Sequence, residues 1–155
     1  MSAEELPPVA SRLPRLRHDA VAGTKSGLVT FWDLAKVMVP AYLAALILQK
    51  VGAIDALAQA AAPVMHLVGL PGSAAVPLVV GWVLNIYAAI GSMQPLGLTP
   101  HEITVLAVAV LIGHNLIVEG AVVQKAGMNG IAFSLLRAVA GLLAAGIVNQ
   151  LMHVF

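Results

Sequence analysis

ITVLAVAVLIGHNLIVEGAVVQ, residues 103–124, is the stretch on which the fold turns. At about 1.5 Å of rise per residue it is long enough to cross a hydrocarbon core of about 30 Å as one helix. Only one formal charge, Glu119, interrupts it, with His114 and Asn115 nearby. An apolar run of this length belongs in lipid, where backbone groups must be satisfied internally and the helix is the simplest way to do so. Polar side chains near its centre are expensive there, so each needs a partner or a task.

The rest of the chain reads the same way. Of its 155 residues, 60% are apolar and 10% are charged, whereas soluble domains carry about a quarter charged residues. Residues 28–49, LVTFWDLAKVMVPAYLAALILQ, form another span, with Asp33 and Lys36 near its start and a kink expected at Pro40. Residues 53–68 are shorter, Ala-rich and interrupted by Pro63, which predicts a re-entrant or interfacial helix pair, with a full crossing as the weaker option. The turn at Gly69, Leu70, Pro71 and Gly72 precedes a span over 73–93. Thr99 and Pro100 look like the N-cap and first position of the helix after it. KAGMNG, residues 125–130, is a tight connection to a last span over 131–152. The fold class is therefore all-α, a polytopic membrane protein of about four spans plus one broken short or re-entrant helix. Residues 1–27, ending in the loop-like AGTKSG, read as a polar tail without the apolar core of a secretory signal, and residues 28–155 as one transmembrane domain. Arg12, Arg15, Arg17 and Lys25 of the tail favour a cytoplasmic N-terminus.

Charge and cysteine content exclude several functions. Seven acids against eight bases leave a net charge of +1, too little to gather nucleic acid. With no cysteine there are no disulfides and no thiolate metal sites. No nucleophile or metalloprotease motif is present, so an enzyme is the least expected class, and no cofactor is implied. The remaining chemistry lies in polar residues at membrane depth. In the hairpin made by 73–93 and 103–124, the midpoint between Asn85 and His114 falls inside the connecting loop, so the two should face each other near the middle of the bilayer, with Asn115 beside them. An imidazole and two amides can bind a small polar ligand or a cation, or simply hydrogen-bond between helices. Glu119 and Arg137 are matched in depth by the same reasoning and should form an ion pair, in the first instance as a neutralised packing clamp. Arg137, Gly141, Ala145 and Asn149 repeat every four residues, a stripe small in the middle that allows close helix approach. The breaks at Pro63 and at Gly69–Gly72 add weight to a transporter reading, since interrupted helices aim their ends at mid-membrane ligands.

Two segments, GLPGSAAVPLVVGWVLNIYAAI (69–90) and LGLTPHEITVLAVAVLIGHNLIVEGAVVQKAG (96–127), resemble the gate domain, also called the nucleoside recognition domain. That domain is similar in the ferrous iron transporter B proteins, in spore maturation proteins A and B, and in small stand-alone membrane proteins. The most specific pieces are Gly69, Leu70, Pro71 and Gly72, and the segment holding His114, Asn115 and Glu119 that ends in Lys125, Ala126 and Gly127. The resemblance covers about residues 30–150. It implies gate units working in pairs, and so a homodimer or a related gate-domain chain as partner, in a bacterial inner membrane. On this reading the protein moves a small solute or ion through a site at Asn85, His114, Asn115 and Glu119. The alternative is a non-transporting scaffold or accessory subunit that uses the same residues to specify helix pairing.

Overall fold

The computed structural model describes residues 9–154, and every regular element among them is helical. Helix α1 is Val9–Lys50, α2 is Ala53–Leu67, α3 is Ala75–Val83, α4 is Ile86–Met93, α5 is Pro100–Gly113, α6 is Leu116–Lys125 and α7 is Gly130–Val154. Short 3₁₀ turns, Gly72–Ala74 and Gln94–Leu96, precede α3 and follow α4. Two compact units divide the chain, Met1–Lys36 and Val37–Phe155.

In the first unit, the expected loop AGTKSG is helix instead. The Thr24 hydroxyl donates to the Ala20 carbonyl at 2.8 Å, which ties a polar residue into the preceding turn, and isolated Gly residues cost a helix only about 1 kcal/mol each. Residues 1–8 of the expected tail lie outside the described residues. Lys36 Nζ donates to Asp33 Oδ1 at 2.7 Å, the pair that their spacing anticipates.

Within the second unit, Gly52 at φ 73 separates α1 from α2. Pro63, expected to interrupt its segment, lies within unbroken α2, and α1 continues as helix through Pro40, where a kink is expected. A proline inside a helix removes one amide donor and bends the axis, but ends the helix only when nothing holds the two sides together. Ile54 and Met65, on either side of Pro63, are both buried. The break comes just afterwards. Gly69 adopts φ 76 and the Leu70 amide bonds back to the Met65 carbonyl at 3.0 Å, a left-handed helix end of the kind glycine makes cheaply. The segment Gly72–Val83 then leaves at 96° to α2. Gly72 lies against the Ala58 carbonyl so closely that a Cβ could not be accommodated.

The expected single span over 73–93 is two helices. A Cβ on Gly81 would meet that of Ala89 at 3.1 Å, whereas positions eight apart along one helix are separated by about 12 Å. The chain therefore reverses between α3 and α4. Gly91 of α4 packs on the Met38 backbone of α1 with no room for a side chain. The span over 103–124 is also interrupted, at His114–Asn115, but α5 and α6 continue in one general direction as a candidate span over Pro100–Lys125. At the start of α5, Thr99 accepts from the Glu102 amide while the Glu102 carboxylate accepts from the Thr99 amide at 2.7 Å, a full capping box.

Helix α7 runs antiparallel to α5 and α6. Its start lies by Gly120 and its last turns lie by His101. Gly141, Ala145 and Asn149 are buried along this contact, so the four-residue stripe is the packing face. Gly141 sits against the Ala109 carbonyl. Leu106, Val105 and Val110 of α5 form the centre of the core with Leu78, Ala89 and Ala145. Leu136, Leu143 and Ile147, on other faces of α7, are each more than 60% exposed, as lipid-facing residues should be. Among the described residues, three helices are long and apolar enough to cross a membrane, or four if the bent pair Ala53–Val83 counts as one.

Candidate functional site

The tip of the α3–α4 hairpin meets the interruption between α5 and α6. At the tip, Leu84 leaves helical geometry and Asn85 is extended, at φ −167 and ψ 170. The Asn85 Oδ1 accepts from the Ala88 amide at 2.9 Å and so caps α4. In the other break, His114 is extended and Asn115 takes the left-handed conformation, φ 53 and ψ 36. Among non-glycine residues, asparagine is one of the few that adopt it readily.

A break at membrane depth frees backbone groups that lipid cannot satisfy. Each of the following finds a partner within the protein. The Asn115 amide donates to the Gly81 carbonyl of α3 at 3.2 Å, joining the two interruptions directly. His114 Nδ1 lies 2.8 Å from the Leu111 carbonyl, and because a carbonyl only accepts, this nitrogen carries the proton. Arg137 Nε donates to the Ile112 carbonyl at 2.9 Å. Trp82 Nε1 donates to the Ala109 carbonyl at 3.3 Å, and the Ser134 hydroxyl donates to the Leu116 carbonyl at 2.8 Å. Among the described residues, no buried side-chain nitrogen or oxygen lacks a partner.

The charges gather at the same level. Arg137 Nη1 donates to Glu119 Oε2, and the Arg137 guanidinium carbon also lies 5.6 Å from the centre of the Phe133 ring. Glu119 stands in the first turn of α6, where the positive end of the helix favours a carboxylate. Its other oxygen, Oε1, faces His114 Nε2 at 3.5 Å. With Nδ1 donating to the Leu111 carbonyl, Nε2 is the ring nitrogen turned toward that carboxylate oxygen. The side chains of His114 and Glu119 keep 35% and 37% of their surface exposed, against 17% for Arg137.

Of the residues singled out from the sequence, His114, Asn115, Glu119 and Arg137 come together at one level. Asn85 lies in the facing hairpin tip, but among the described residues no hydrogen bond joins it to His114; its amide serves its own helix. Gly69, Pro71 and Gly72 form the sharp turn, and Pro63 lies within unbroken helix. Gly81, Trp82, Ile112 and Ser134 also belong to the site, although sequence reasoning passes over them. Gly81 and Ile112 act here through their backbone carbonyls, and Trp82 and Ser134 each donate to a carbonyl. Gly81 and Gly113 were the available clue, since neither has room for a side chain, against Val110 and Trp82 respectively.

A family model described as Gate, nucleoside recognition, matches residues 31–145. The chain is 38% identical over 133 residues to a membrane protein of Bacillus subtilis (strain 168) described as uncharacterized, YvoD. That alignment covers 86% of this chain and 43% of the relative, so the chain spans less than half of the relative's length. No solved structure matches the chain.

Proposed function

The chain belongs to the Gate, nucleoside recognition, family, and from that membership we propose that it is a small membrane transporter or gate that moves a solute or ion through the interrupted helices at His114, Asn115, Glu119 and Asn85. One observation carries this reading most: two interrupted helical segments meet, linked from the Asn115 amide to the Gly81 carbonyl, with a histidine and a carboxylate left facing each other there. Interrupted helices with half-helix ends at mid-membrane are the usual architecture of a transport site. The open side of His114 and Glu119 would lie in hydrocarbon unless protein covered it, and such exposure is costly. We take the covering element to be a second copy or a related gate chain, in a bacterial inner membrane. A relative more than twice as long as the matched segment has room for a second unit of the same size.

A second reading is favoured by the hydrogen bonds themselves. Asn85, His114 and Arg137 each serve backbone groups released by the breaks, which is what a non-transporting scaffold or accessory subunit would need. Reconstitution into liposomes with a panel of monovalent and divalent cations and nucleosides separates the two. Transport predicts flux of at least one solute, reduced at least tenfold by His114→Gln in protein that still folds. No flux across the panel, with His114→Gln and Asn85→Ala only loosening assembly, leaves the scaffold.

A further inference from the structure

Away from this site, where α5 begins and α7 ends, two histidines and an asparagine come together. His101 Nε2 lies 2.7 Å from Asn149 Oδ1, and the rings of His101 and His153 are 5.0 Å apart at their centres with a 41° tilt. Asn149 and His153 are four residues apart and share one face of α7. Asn149 is buried against the Gly69 turn, His101 is half-buried, and His153 is exposed. No pairing with a carboxylate accounts for this histidine pair among the described residues.

We propose that His101 and His153 form a two-imidazole site for a late first-row divalent metal ion such as Zn²⁺, Ni²⁺ or Cu²⁺, clipping the start of α5 to the end of α7. The spacing fits. With metal–nitrogen bonds of about 2.0–2.1 Å, a ring centre lies roughly 3.2 Å from the metal, and two rings at a near-tetrahedral angle sit about 5 Å apart. The ligand chemistry fits as well. Asn149 Oδ1 accepts the proton of His101 Nε2, which leaves Nδ1 with its lone pair free to coordinate, the arrangement by which a neighbouring acceptor fixes a metal-binding tautomer. Imidazole nitrogens suit these metals, and water can complete the coordination. The C-terminal end of α7 adds the negative end of a helix beside the cation. Bound metal would tie together two helices already packed along Gly141, Ala145 and Asn149, and would stabilise that packing by mass action.

The untagged full-length chain in detergent, stripped with chelator, is the material to test. One equivalent of Cu²⁺ should give an electron paramagnetic resonance signal coupled to two imidazole nitrogens, and Zn²⁺ should raise Tm by several degrees. His153→Gln, at an exposed position, should fold normally, bind at least tenfold more weakly and lose the Zn²⁺ shift, whereas His66→Gln should keep both. His101→Gln also breaks the bond to Asn149, so His153→Gln is the deciding variant. An undiminished shift in His153→Gln, or a Cu²⁺ signal without two imidazoles, overturns the proposal. So does a metal effect that vanishes in His114→Gln and persists in His153→Gln, because it would place the ion in the mid-membrane site.

Discussion

Asn115 holds the left-handed conformation that lets α5 stop and α6 restart, and its amide crosses to Gly81. Its side chain makes no capping bond. Asn115→Gly should therefore keep the fold, while Asn115→Leu should lose about 1–2 kcal/mol, the cost of placing a bulky residue in that conformation. Thermal unfolding in detergent checks this, and equal losses in the two variants would show that the amide side chain matters instead. Glu119 and Arg137 form an ion pair with one side open, so Glu119→Gln should cost about 2–3 kcal/mol by leaving the guanidinium without its counter-charge. Adding Arg137→Gln should recover roughly 1 kcal/mol or more of that loss. Strictly additive losses would mean the pair contributes nothing as a pair. Matching depths along the chain was enough to pair these two charges, because an antiparallel hairpin with a short connection fixes which residues stand level. It was not enough for Asn85 and His114, because the same counting assumes continuous helices, and each of these two residues sits in an interruption.

The α5–α7 contact shows how far a pattern in one helix can be read. A residue every four positions, small at Gly141 and Ala145, predicts a close approach, and the structure places those residues against α5. Gly141→Val should lose about 1–3 kcal/mol because the Ala109 carbonyl leaves no room for it. Gly146→Ala should be neutral or slightly stabilising, since the nearest atom to its added methyl is a Val68 methyl at 3.8 Å. Comparing the unfolding temperatures of the two variants decides the matter, and similar behaviour would mean the helices do not pack as described. Helix ends were less legible. The Thr99 N-cap and the Gly69 turn have local signatures, so both were expected. The reversal at Leu84–Asn85 has little beyond the Asn85 cap: VVGWVLNIYAAI is otherwise apolar and helical in pattern, and Gly81, Ala89 and Gly91 let α4 press onto α3 and α1 once the chain turns back. Pro63 failed in the opposite direction, as a strong local signal overridden by the helix around it.

At the scale of the molecule, apolar residues cover most of the outer faces, while His114 and Glu119 remain partly open at mid-span. The chain is therefore expected to be a dimer in lipid nanodiscs, and mass photometry of the full chain measures it. A single copy per disc at every protein-to-lipid ratio would sink the paired-gate reading without touching the fold. The sequence alone determined that this is a helical membrane protein of about four spans, because long apolar runs admit one backbone solution in lipid. It also determined the family, the hairpin closed by KAGMNG and the level shared by Glu119 and Arg137, all of which depend on residue type and spacing. Only the tertiary structure decided that α3 and α4 fold back on each other, and that the second break lies at His114–Asn115. Those choices depend on which freed carbonyls and amides can find partners across helices, and Gly81, Leu111 and Ile112 supply theirs through the backbone, whose hydrogen bonding the side-chain pattern does not encode.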